Sequence, residues 1–253
     1  MLVVISPAKK LDENCDKNLV TNFTIPPYLE DSKKIIKSLR KYSTDKLSKL
    51  MNISEKISLL NYERYIKWSL PFTKKNAHPA LLLFQGDVYK GISVSDFKKE
   101  DFIYAQKSLR ILSGLYGILK PLDLIQPYRL EMGTRLAFDS NKNLYDFWRK
   151  KITDELNDDL VEDEPVLNLA SNEYFKALDN KVIKTSVYSA NFKQLKNGEY
   201  KTIAIFSKRA RGMMTRFIIQ NKINHIDGIK SFNLDGYFFN ENLSSAKELV
   251  FTR

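Results

Sequence analysis

Apolar and polar positions alternate in short blocks along this chain. Leu2–Ile5 is an apolar run with β-branched residues, which predicts a buried first strand; Ser6-Pro7-Ala8-Lys9-Lys10 ends it. Residues 12–30 are polar, contain proline, and read as a loop. Ile35, Ile36 and Leu39 then follow helical spacing, with Asp31 or Ser32 near the N-cap, and Thr44–Leu50 and Ser54–Ile66 repeat the scheme. Leu81–Phe84 reads as a strand feeding a glycine-bracketed turn, Gln85–Gly91. Asp101–Leu112 reads as a helix, and Asn143–Leu156 as an amphipathic one with Leu144, Phe147, Trp148 and Ile152 on one side. Val166–Leu169 is a third buried strand. Val182–Val187 and Thr202–Phe206 read as strands joined through Asn197-Gly198, with a helix from Ser207 and closing strands at Tyr237–Phe239 and Glu248–Phe251.

Helices and strands are intermixed without the regular alternation of a doubly wound sheet. No repeat, low-complexity linker or composition break divides the chain. The expectation is one α+β domain over residues 1–253, a mixed sheet surrounded by helices, with a helical lobe near residues 30–70.

Composition narrows the chemistry. The 253 residues are 43% hydrophobic and 28% charged, ordinary for a globular protein with a real core. No run approaches a membrane span, and MLVVISPAKK reads as a strand rather than a secretory signal. A single cysteine, Cys15, excludes an internal disulfide and fits a reducing cytoplasm. With only two histidines beside it, no zinc or iron site and no cofactor is expected; carboxylates could still hold Mg²⁺ with phosphates. Forty-one Lys and Arg against 30 Asp and Glu leave a net charge of +11. Such a surplus favours polyanions, although a lysine-rich composition produces it too.

The strongest basic stretch is Phe206–Ile218. No Asp or Glu occurs from Lys201 to Asn224, and Lys208, Arg209, Arg211 and Arg216 gather on one side of a helical wheel. Cations in a first helical turn oppose the helix dipole unless an anion lies nearby, which favours phosphate binding there. The second feature is Leu112–Gly133, LSGLYGILKPLDLIQPYRLEMG. Leu112, Gly114, Leu115 and Gly117 fit the hydrophobic-x-Gly-hydrophobic-x-Gly turn of a helix-hairpin-helix, whose backbone N–H groups meet a DNA phosphate. Lys107, Arg110 and Lys120 stand nearby. A plain glycine C-cap fits the pattern equally well. A third set of residues, Lys9, Asp87, Tyr89, Glu131, Asn172 and Tyr174, follows buried strands or lies in polar turns, where an enzyme acting on a nucleotide-like or phosphorylated molecule would place its groups. No serine triad, Walker loop, GxGxxG or metal-ligand spacing accompanies them.

Taken in order, SPAK at 6–9, FQGDVYKG at 84–91, residues 112–133, NLASNEYF at 168–175, FSKRARGMMTRFII at 206–219 and NLDGYFF at 233–239 resemble the bacterial YaaA family along essentially the whole chain. The resemblance implies a cytoplasmic protein of the peroxide stress response, linked to limiting free intracellular iron. It also implies DNA binding on a family-specific fold with a helix-hairpin-helix element and a basic cleft. The expected partner is DNA, duplex or structured, bound without regard to base sequence. Carried over, the hairpin falls on Gly114, Leu115, Tyr116 and Gly117 with Lys120. Position and charge add Lys9, Lys208, Arg209, Arg211 and Arg216 to the cleft. A monomer with no membrane partner is expected.

Overall fold

Leu2–Ile5, buried along its whole length, forms β1 at the middle of the main sheet. The computed structural model describes residues 1–162 and 164–253. On one side β1 pairs in parallel with β2 (Leu109–Ser113), which turns back as β3 (Gly117–Leu119). On the other side β1 pairs in parallel with β4 (Val166–Asn168), and β4 with β5 (Val187–Lys196). The tip of β5 folds back as β6 (Glu199–Lys201) through Asn197 and Gly198, both at positive φ, as a two-residue hairpin turn requires. β7 (Phe238–Phe239) is antiparallel to β8 (Glu248–Thr252), which runs parallel to β5. The order is therefore β7-β8-β5-β4-β1-β2-β3, a mixed sheet with helices about it, as the α+β expectation has it.

The helices carry their apolar residues inward. α1 (Leu29–Leu39) buries Ile35, Ile36 and Leu39. α2 (Thr44–Met51) is capped by Ser43, whose hydroxyl accepts from Lys46 N, and ends on Asn52 in the left-handed region. α3 (Glu55–Lys67) follows α2 with three residues between them. α4 (Asp87–Ile92), α5 (Lys99–Ser108) and α6 (Leu144–Asp158) follow. In α6 the buried face includes Leu144, Phe147, Trp148 and Ile152, the stripe read from the sequence. α7 (Ala204–Asn221) is the longest helix among the described residues.

Several elements differ from the sequence expectation. The helix expected over Asp101–Leu112 stops at Ser108, because Leu109–Ile111 pair with Val3–Ile5. Residues 109–119 are thus two antiparallel strands, and the helix-hairpin-helix expected at Leu112–Gly117 is a β-hairpin. Ala80–Leu83 is a single helical turn rather than a strand, and Asp87–Ile92 a short helix rather than a turn. α7 starts at Ala204, within the strand expected over Thr202–Phe206, so Ser207 lies buried inside the helix and does not cap it. Pairing with β1 overrides the helical pattern at Leu109–Ile111, and Asp87–Ile92 is held as a helix against α7.

Candidate functional site

The glycines of the β2–β3 hairpin serve packing. A Cβ on Gly114 would lie 2.4 Å from the Leu130 carbonyl oxygen, and one on Gly117 would lie 2.8 Å from the Trp148 ring. Leu115 and Tyr116 are fully buried. The turn's polar atoms are already taken: Trp148 Nε1 donates to Gly114 O (3.0 Å), Ser32 Oγ to Leu115 O (2.9 Å), and Tyr116 N to Ser113 Oγ (2.9 Å). Gly114, Leu115, Tyr116 and Gly117 therefore present no backbone to a phosphate. Lys120 is bound to Asp159, which also holds the buried Arg110 (2.8 and 2.6 Å).

The second half of that segment, Tyr128–Gly133, reaches the carboxyl ends of the parallel strands. Because β2 and β4 lie on opposite sides of β1, the chain reverses its direction of travel across the sheet there, a place where α/β sheets open a crevice. Ser6, just after β1, meets Ser171, after β4: the Ser171 amide donates to Ser6 Oγ (2.9 Å), and the two hydroxyls are 3.3 Å apart. Lys9 pairs with Glu131 (2.8 Å), which also binds Arg129 (3.0 Å). The Gly133 amide donates to Glu173 (2.9 Å). Tyr89 Oη donates to the Ser6 carbonyl (3.1 Å), which ties α4 to the same edge. Asp87 opens α4, half-buried, and Asn172 is exposed just after Ser171. Lys9, Tyr89, Glu131 and Asn172 thus lie about one edge, with Asp87 two residues before Tyr89 and Tyr174 buried near Glu131 and the Met132 backbone. Burial raises the Tyr89 and Tyr174 phenols far above their ordinary value, so both are neutral hydrogen-bonding groups rather than bases.

α7 divides its charges. Lys208 and Arg209 are exposed. Arg216 forms a two-pronged pair with Asp96 (2.9 and 2.5 Å) and also bonds the Ile92 carbonyl (3.0 Å), a structural use. Arg211 turns inward. α7 crosses α4 with their backbones touching at Gly91 and Gly212.

A second basic surface escaped the sequence reading. Lys34, Lys37, Lys41 and Lys46 line an open hollow of about 630 Å³ with Ser38, Tyr42 and residues 137–139, where Asp139 supplies the one acidic side chain. Residues 29–67 hold ten Lys and Arg against five Asp and Glu, close to half of the net +11 on under a sixth of the chain. In the same helices, Asn52-Ile53-Ser54 joins α2 to α3. Asn52 takes the left-handed conformation that glycine usually supplies (φ 50°, ψ 58°). Ser54 is extended but makes no side-chain cap, so the first turn of α3, where Glu55 and Lys56 are exposed, has no side chain on its free amides from that residue. Lys49 and Lys56 flank this turn, both exposed. The signal was present as Leu47-x-x-Leu50-Met51-Asn52-Ile53-Ser54, with Asn and Ser where a glycine search looks for Gly. Among the described residues no group of three or more His, Cys, Asp and Glu is arranged to hold a metal ion, and no helix is long and apolar enough to cross a membrane.

Comparison with known proteins gives one consistent result. A family model described as peroxide stress protein YaaA matches residues 1–243. A UPF0246 protein of Saccharophagus degradans is 52% identical over 255 residues, spanning 100% of this chain and 99% of its own length. UPF0246 proteins of Aliivibrio fischeri and Acaryochloris marina are each 50% identical, spanning 100% of this chain and 98% and 100% of their own lengths.

Proposed function

The chain belongs to the YaaA family of peroxide stress proteins, and from that membership we propose that it binds DNA through the phosphate backbone, using the helical hairpin α2–α3 and the lysine-lined hollow beside it. The observation that carries this reading is the helix–turn–helix over Thr44–Lys67. Its three-residue turn leaves the first turn of α3 without a side-chain cap, and Lys37 and Lys41 of α1 line a hollow with Lys46 near the start of α2, while Lys34 beside them also holds Asp31. Backbone amides and lysines contact phosphates without reading bases, so binding is independent of sequence. Exposed Lys208 and Arg209 of α7 add to the positive field. The β2–β3 hairpin has no part in it.

One cysteine and two histidines make the chain poor in iron ligands, so covering DNA is a better route to limiting peroxide damage than holding iron. Fluorescence anisotropy with a labelled duplex at rising salt tests the reading. Three lysine–phosphate contacts, from Lys37, Lys41 and Lys46, give a slope of about −2.7 in log K against log salt. Lys41→Glu with Lys46→Glu should abolish binding while the fold stays intact. Binding that survives this double reversal, or that ignores salt, refutes the proposal.

A further inference from the structure

Arg211 stands on the wrong face of its helix for a solvent-exposed cation. Ser207, Arg211, Met214 and Ile218 follow one another at spacings of four, three and four, so they share one stripe of α7, and the other three are buried. The Arg211 Nε is sealed from solvent and has no hydrogen-bond partner. No ion pair reaches the side chain among the described residues, and burial alone lowers its pKa. A part-buried guanidinium whose sealed Nε has no partner carries a desolvation cost, which an anion on its accessible outer nitrogens would offset.

Its position indicates what that is. β5 runs past the end of β4, and the chain folds back through β6 only to the level of Gln194 before α7 begins at Ala204, so the first turn of α7 lies beyond the carboxyl ends of β1 and β4. α4 bridges the gap. A Cβ on Gly212 would sit 1.8 Å from the Val88 carbonyl oxygen, and the next residue, Tyr89, bonds the Ser6 carbonyl at the end of β1. Arg216 bonds the Ile92 carbonyl at the last residue of α4, so the two helices are held together on both sides of Gly212. Arg211 is therefore carried toward the crevice where Ser6 and Ser171 meet. Arg129, at the same edge, has a second sealed Nε without a partner, although its outer nitrogen holds Glu131.

We propose that the crevice at the carboxyl ends of β1 and β4 binds a small phosphorylated molecule of mononucleotide size, with the Arg211 guanidinium taking the phosphate and the Ser6 and Ser171 hydroxyls orienting it. A guanidinium fork matches two phosphate oxygens at once, and the hydroxyls supply neutral donors without adding charge. The crevice is built from residues other than those of the α2–α3 surface, although Tyr65 of α3 bonds the Arg129 carbonyl at its edge, so the two functions are separated by variants rather than by distance.

Isothermal titration of the full chain with adenosine 5′-monophosphate, inorganic phosphate and acetate tests it, using Arg211→Met, Arg211→Lys and Lys46→Glu. The wild type and Lys46→Glu should bind the nucleotide and phosphate more tightly than acetate. Arg211→Met should lose at least tenfold, and Arg211→Lys should retain part of the affinity as a point charge. Duplex binding by Arg211→Met should stay within twofold of wild type. Lack of binding of both phosphate probes to the wild type at millimolar concentration overturns the proposal. So does equal affinity in Arg211→Met, or preference for acetate. If Arg211→Met does not fold, unchanged nucleotide affinity in Arg211→Lys, where the fork is gone, overturns it equally.

Discussion

Replacing Gly212 with alanine tests how tightly α4 and α7 are locked together. A Cβ there would come 1.8 Å from the Val88 carbonyl oxygen, 2.8 Å from its carbonyl carbon and 2.9 Å from Gly91 Cα. All of these are backbone atoms, so no side chain can swing aside. Ordinary contact lies near 3.5 Å, so the helices must part by roughly 1.5 Å. Forcing extra volume into a packed crossing costs about 1–3 kcal/mol, and losing close contact along the rest of the crossing adds to it. Alanine recovers about 1 kcal/mol of helix propensity over glycine. The net expectation is a loss of about 2 kcal/mol, which for a chain of this length lowers Tm by roughly 4–8 °C. Urea unfolding at neutral pH, followed by circular dichroism, measures it, with the midpoint falling and the slope unchanged. Gly91→Ala, whose Cβ would lie 2.3 Å from the Arg209 carbonyl oxygen, should behave alike. The double variant should lose less than the sum, because the first substitution already separates the helices. A Gly212→Ala protein as stable as wild type would show that the crossing yields, and that α4 does not rigidly position Tyr89 against Ser6.

Two further outcomes follow from the same structure. Asp159 holds Arg110, whose side chain is 4% exposed, and Lys120. Burial pushes the Asp159 carboxyl up, but the hydrogen bonds from Arg110 and Lys120 outweigh it and hold the group below its ordinary value. Its stabilising contribution is therefore complete above the unfolded-state pKa of about 3.9 and is lost as pH falls through the folded value. Asp159→Asn should cost about 3 kcal/mol at pH 7 by stranding Arg110, and the gap to wild type should narrow in urea titrations below about pH 4; a gap independent of pH would deny the ion pair this role. At the α2–α3 turn, Asn52→Gly should preserve both stability and duplex affinity. Asn52→Val should lose about 1–2 kcal/mol, since a β-branched residue resists positive φ, and duplex affinity should fall with it; thermal melts and anisotropy would separate the two effects.

Much of the scaffold was legible beforehand. Leu2–Ile5 and Val166–Leu167 are short apolar runs with β-branched residues, as strands buried on both faces require, although Leu81–Leu83 shows that such a run can also fold as a helical turn. The face of α6 could be read from Leu144, Phe147, Trp148 and Ile152 because helical periodicity records burial directly. The site was harder to read. The glycines at 114 and 117 attracted a phosphate-binding reading, yet they are small because Leu130 and Trp148 press on them. The turn suited to phosphate lies at Asn52-Ile53-Ser54, where no glycine marks it. Arg209 and Arg211 look alike in the chain, but one is exposed and the other is half-buried with its Nε sealed and unpartnered.

The amino-acid order alone carries the positive charge, the family signature and most of the helices and strands, because each depends on composition or on contacts a few residues long. Which basic groups are free to meet an anion was set by the packed molecule. Arg216 is taken by Asp96, Lys120 by Asp159, and Lys9 by Glu131. These partners lie between 39 and 122 residues away in the chain, and only the folding of β1 between β2 and β4 gathers such distant segments into one surface.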